Sequence, residues 1–208
     1  MCGRYAVAAP DAAVLRERFA VQQALETFTP AHNVKPTHVA PVVILHEGNR
    51  NLATMRWGLI PPWAKDAAIA NKLFNARAET VADKPSFRHA FRRRRCLVPA
   101  TGFYEWQQEG RRKVPYEFAI GDGDLFAFAG LYESWRDPRG ETLHTYTIIT
   151  TTPNELVAPI HARMPVILPR DHESVWLDPQ FEDTTYLQAL LVPYPADTMQ
   201  MRPVDRPL

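Results

Sequence analysis

The sequence predicts one domain built on a mainly antiparallel β-sheet with a few short helices. Three observations point there. Nineteen prolines are spread over 208 residues rather than clustered, which cuts the chain into short segments and argues against a helical bundle. Runs of strand length rich in Val, Ile, Thr and Tyr recur between Gly- and Pro-containing turns. The 46% hydrophobic content suffices for a real core in a single domain of this length.

In chain order, residues 4–7 read as a short strand. Pro10 and Asp11 then open a helix over 12–19, with Val14, Leu15, Arg18 and Phe19 on one side. Residues 32–37 are a polar, proline-containing loop, and 39–46 a valine-rich buried strand. The stretch 52–63 is a strand that breaks at Gly58 and enters a proline-locked loop carrying Trp57 and Trp63. Those indoles either stack on unpaired bases or plug the core beneath the loop. If 73–80 is extended, alternation sends Asn75, Arg77 and Glu79 to one side, to be solvated or aimed at a site. Residues 83–91 read as a helix that packs Phe87 and Phe91 inward and runs into Arg92, Arg93, Arg94 and Arg95. Four arginines suit a helix C-terminus as a solvated face, and suit phosphates equally well.

Residues 96–100 form a buried strand leading to Glu105, a lone carboxylate among Phe103, Tyr104 and Trp106. Such surroundings lift a carboxyl pKa toward neutrality and make a general acid and base, although in a strand Glu105 faces away from Tyr104 and Trp106. The runs 113–120, 125–132 and 142–151, joined by turns at 121–123 and 137–140, read as an antiparallel meander. A short helix over 153–160, capped by Thr151 or Thr152, delivers His161 and Arg163 to a turn between Pro159 and Pro165, ahead of a strand at 166–168. His161 is then either a structural histidine or a working one. Two amphipathic helices at 170–177 and 183–191 precede a proline-rich, poorly periodic end.

Net charge is only +1, so any nucleic-acid site must be local, although 19 of the 24 basic residues are Arg, the side chain that forks onto phosphate. Two cysteines, Cys2 and Cys96, are too few for a disulfide framework or a zinc site of the CxxC kind, which favours a reducing, cytoplasmic home. No run approaches the roughly 18 apolar residues of a membrane span. Cys2 is chemically distinctive. Once Met1 is removed, an α-amine (pKa roughly 8) lies beside a thiol (pKa about 8.5), a pair that traps aldehydes as a five-membered thiazolidine.

The ordered segments Met1-Cys2-Gly3-Arg4, Met55-Arg56-Trp57-Gly58-Leu59-Ile60-Pro61, Asn75-Ala76-Arg77-Ala78-Glu79-Thr80, Gly102-Phe103-Tyr104-Glu105-Trp106, Ala129-Gly130-Leu131 and Ile160-His161-Ala162-Arg163-Met164-Pro165 resemble the SRAP family of SOS response-associated peptidases, abasic-site processing proteins. The resemblance spans almost the whole chain. It implies a single α+β domain around a barrel-like, mainly antiparallel sheet flanked by short helices, covering 1–208 with a shortened C-terminal end. It implies covalent capture of ring-opened abasic sites in single-stranded DNA by Cys2, with removal of Met1 and strand-cleaving lyase activity, in the DNA-damage response. By the family pattern Cys2, Asn75, Glu105 and His161 are the catalytic set, and Arg4, Asn33, Trp57, Arg77, Thr150 and Arg163 hold DNA. No cofactor, metal or membrane partner is implied, and the expected form is a monomer. Lys35 stands where the family commonly has alanine. Two other classes compete: a thiol peptidase using Cys2 with His161 as base, and a noncatalytic binder of single-stranded or modified DNA.

Overall fold

The computed structural model describes residues 2–22 and 28–205. Met1 and the last three residues, on which the expectations about amine release and the C-terminal end fall, lie outside them. The elements run β1 (Tyr5–Val7), α1 (Ala12–Phe19), β2 (Ala31–Val34), β3 (Val39–His46), β4 (Asn49–Trp57), β5 (Asn75–Arg77), α2 (Arg88–Arg93), β6 (Arg95–Ala100), β7 (Gly102–Glu109), β8 (Arg112–Ile120), β9 (Phe126–Arg136), β10 (Thr142–Thr151), β11 (Met164–Pro165), β12 (Ile167–Leu168), α3 (Glu173–Leu177), α4 (Thr184–Ala189) and β13 (Met199–Pro203). The fold is α+β, with few and short helices, as expected.

Five strands close on themselves. β10 pairs in parallel with β4, and β4 with β3, β3 with β6, β6 with β9 and β9 with β10 pair antiparallel, which completes a barrel without free edges. β5, β11 and β12 attach to its rim through β10 and β9. A second, five-stranded sheet runs β13-β8-β7-β1-β2. The two are joined by aromatics. Tyr5 of β1 packs edge-on against Trp57 (5.3 Å) and Phe128 (5.8 Å), and its hydroxyl meets that of Tyr146 at 2.7 Å in a buried pair. Each hydroxyl thereby satisfies the other where water cannot, so the start of the chain is pinned against the barrel.

Local physics explains what matched. α1 starts where Asp11 accepts from the backbone N–H groups of Ala13 (2.8 Å) and Val14 (3.0 Å), and it buries Leu15 and Phe19. β4 ends at Gly58, whose φ of +123° and whose approach to Ala70 O, 2.8 Å from where a Cβ would sit, admit no side chain.

Five readings are corrected. The predicted meander is interrupted, because the chain changes sheets between β8 and β9. Gly121 and Gly123 at positive φ turn it out of the plane, and β8 pairs instead with β7 and β13. The tail contains β13, which buries only Met199 and so carries no alternation to read. The supposed polar loop over 32–37 begins inside β2 (Ala31–Val34), an edge strand against β1. Residues 153–160 are turns rather than a helix, organised by Asn154, whose side chain accepts from Val157 N at 3.0 Å. The arginine run is neither a solvated face nor a phosphate patch as a whole. Arg93 bonds Glu182 at 2.5 Å, Arg94 pairs with buried Glu133, and Arg95, 2% exposed, donates to the carbonyls of Phe91, Arg92, Trp176, Asp178 and Phe181.

Candidate active site

Four side chains from distant parts of the chain meet where the second sheet abuts the barrel rim. β1 pairs with β7 in the register Tyr5 to Phe103, and Tyr104 N donates to Arg4 O at 2.9 Å, which brings Glu105 abreast of the residues just after Cys2. From the barrel side, β5 runs parallel to β10 with Asn75 beside Ile148, and the Asn75 amide donates to Cys2 O at 2.7 Å. β11 pairs with the end of β10, and the turn before it presents His161 with Nδ1 3.8 Å from Glu105 Oε1. That distance is beyond a hydrogen bond, and the contact is ionic only when the ring carries a second proton. The Arg163 backbone fixes the ring: Nδ1 lies 2.9 Å from its carbonyl and 3.1 Å from its N–H, donating to the first when protonated and accepting from the second when not.

Burial sets the electrostatics. Glu105 is 4% exposed, and desolvation pushes its pKa up to about 7. Oε1 of Glu105 and Oδ1 of Asn75 are buried and, among the described residues, have no hydrogen-bond partner, so both are free to serve a bound group. Cys2 is fully buried, and desolvation first, then the Glu105 charge, raise its thiol well above the usual range, which keeps it protonated. Burial also lowers the His161 pKa, holding the imidazole neutral near pH 7. Both cysteines are free thiols. Among the described residues no group of three or more His, Cys, Asp or Glu is placed to hold a metal ion, and no helix is long and apolar enough to cross a membrane.

The residues expected to hold DNA divide. Arg77 is exposed on β5. Arg4 is half-buried over the Trp106 ring (5.3 Å), and its guanidinium donates to Asn33 Oδ1 at 3.4 Å. Arg163 reaches Glu79 and Thr150 O. Two expectations are corrected. Trp57 has no exposed surface and donates its indole N–H to Phe74 O at 2.7 Å, so it plugs the core and offers no face for stacking. Thr150 is also fully buried, its hydroxyl turned to Ala76 O at 3.4 Å, so it serves Arg163 through its carbonyl and cannot touch a strand with its side chain. The accessible indole of the loop is Trp63, 58% exposed, which the loop's proline pair signalled without singling it out from Trp57. Sequence reasoning also gave no role to Glu79, whose only signal was its alternation with Asn75 and Arg77.

The family described as SOS response associated peptidase (SRAP) matches residues 1–208. Abasic site processing protein YoqW of Bacillus subtilis (strain 168) is 47% identical over 203 residues, covering 96% of this chain and 90% of that protein. Abasic site processing protein HMCES of Gallus gallus is 34% identical over 210 residues, covering 86% of this chain and 62% of its own length. The crystal structure of a protein from Bacteroides thetaiotaomicron superposes with a TM-score of 0.87 at 31% identity, covering 98% of this chain and 92% of that one. One from Bordetella bronchiseptica gives 0.84 at 30% identity, covering 99% and 100%.

Proposed function

The chain belongs to the SOS response associated peptidase family, and on that premise we propose that it processes abasic sites in single-stranded DNA by linking to them covalently through Cys2. Hydrolysis of the Met1–Cys2 peptide bond frees the α-amine. The amine attacks the aldehyde carbon of the ring-opened deoxyribose, and loss of water leaves an imine. Sγ then adds to the imine carbon, the thiol proton passes to nitrogen, and a thiazolidine closes. Glu105 carries protons in each step, Asn75 holds the Cys2 backbone, and His161 assists sugar opening and the strand-cleaving elimination. Arg4 and Arg77 track phosphates, Asn33 steadies Arg4, and Trp63 supplies the stacking face.

The observation that carries this reading is a carboxyl with a pKa of about 7 buried against Cys2. Near neutrality it exists in both protonation states, as imine formation and ring closure require of one shuttle. The names borne by the bacterial and vertebrate relatives support the substrate class. The raised thiol pKa argues against a peptidase that attacks other proteins as a thiolate, while ring closure onto an adjacent imine is effectively unimolecular and tolerates a protonated thiol beside a base.

A denaturing gel tests the proposal. Wild-type protein should give a denaturation-resistant band with an abasic single-stranded oligonucleotide and none with an undamaged one. Cys2→Ala, which keeps an amine but has no thiol, should lose that band. A stable band from Cys2→Ala at wild-type yield would overturn the assignment.

A further inference from the structure

Arg163 is already occupied. Its Nη1 donates to Glu79 Oε1 at 2.6 Å and its Nη2 to Glu79 Oε2 at 3.0 Å, the bidentate fork that arginine otherwise forms with a phosphate. Nη2 also holds Thr150 O at 2.6 Å. Of the two N–H groups left over, that of Nε is buried, and the second one on Nη1 can offer a phosphate a single bond only. A phosphate seeking a bidentate grip therefore needs the two nitrogens that Glu79 holds. Glu79 can yield them. Its side chain is 48% exposed on the short turn Ala78–Thr80, next to Arg77, whereas that of Arg163 is 17% exposed and fixed at its inner edge. The Glu79 carboxyl is held below its ordinary range, chiefly by the Arg163 hydrogen bond, so the competitor is ionised at neutral pH.

From this we infer that Glu79 is a selectivity residue of strand capture: its carboxylate stands in for a DNA phosphate on Arg163 and yields only to a ligand that several other cations grip at the same time. A lone phosphate competes with a tethered carboxylate for one arginine and gains little. A strand also engaged by Arg4 and Arg77 brings its phosphate to Arg163 at high effective concentration and displaces Glu79. The inference rests on the reading that Arg163 contacts the strand.

The test is anisotropy of a labelled, undamaged single-stranded oligonucleotide, which leaves the covalent step aside, with the full chain over a range of salt concentrations. Glu79→Gln, isosteric and uncharged, should tighten binding about three- to fivefold, the scale of a partly exposed ion pair. It should steepen the slope of log affinity against log salt by roughly 0.7, because one phosphate contact is no longer offset by a released carboxylate. It should also make binding newly sensitive to competition by inorganic phosphate. Glu79→Ala should behave alike, and the gain should vanish in an Arg163→Ala background. Weaker binding by both Glu79 variants would show that Glu79 props Arg163 for the strand, and a gain that survives Arg163→Ala would show an effect unrelated to it; either overturns the inference and leaves the proposed chemistry standing. If Arg163→Ala binds like wild type, Arg163 is no strand contact and the inference falls with that assignment. Adduct formation by Cys2 is scored separately on the gel.

Discussion

A carboxyl whose pKa is pushed up to about 7 by burial is protonated at pH 6 and ionised at pH 8, and Glu105 is that group. Its folded pKa lies above the unfolded one, so between pH about 4.5 and about 7 the folded protein holds a proton that the unfolded chain has released, and stability falls as pH rises through that window. Glu105→Gln removes the ionisation. It should therefore raise stability at pH 8 by on the order of 2 kcal/mol relative to wild type, with the gain fading toward pH 4, while adduct formation is lost. Thermal melts of both proteins across that range check this, and an equal shift at every pH would assign the effect to packing. The residue was legible as a carboxylate among aromatics, but for a partly wrong reason. Alternation turns Tyr104 away, to Glu117 at 3.3 Å, and Trp106 toward Arg4. The groups that meet Glu105, His161 at 3.8 Å and Cys2 through the carboxylate's charge, come from positions remote in the chain, and no local pattern encodes that.

The strand β4 and the loop that follows it show how far an element can be read. Its period, its break at Gly58 and its two indoles were all visible, but which indole stays inside was not, because that depends on the barrel closing over Trp57. The ring stacks on Tyr146 at 6.3 Å and meets Phe74 edge-on at 6.0 Å. Trp57→Ala should thus cost about 3–5 kcal/mol in denaturant titration, the scale of emptying a core of a large aromatic. Trp63→Ala should move stability by less than about 0.5 kcal/mol and weaken binding of single-stranded DNA roughly tenfold, as loss of one stacking platform does. The reverse pattern would return the stacking role to Trp57. Elsewhere, strands that bury a continuous face, such as β3, β6 and β10, declared themselves. Edge strands did not. β2 and β13 are held by main-chain pairing to β1 and β8 and bury one residue each, so their side chains carry almost no period.

At the scale of the molecule, a closed five-stranded barrel supplies a rigid rim and a second sheet brings the chain's beginning to it. Tyr5 couples the two through the buried Tyr146 hydroxyl, and the site lies at their junction. Composition foresaw the single domain and its many strands, but the closure depends on β4 and β10 pairing in parallel between residues 89 apart, such as Arg56 and Thr145, which periodicity cannot announce. Charge points the same way at this scale. A formal charge of +1 provides no broad basic surface, so under the proposed function selection for damage falls to local arginines and to reactivity at Cys2. Intact mass spectrometry of the purified protein, before and after incubation with an abasic single-stranded oligonucleotide, tests that claim most directly. The account predicts a starting mass that lacks Met1, and a product equal to that mass plus the oligonucleotide less one water. A protein that retains Met1, or one whose mass is unchanged by the damaged strand, would contradict it.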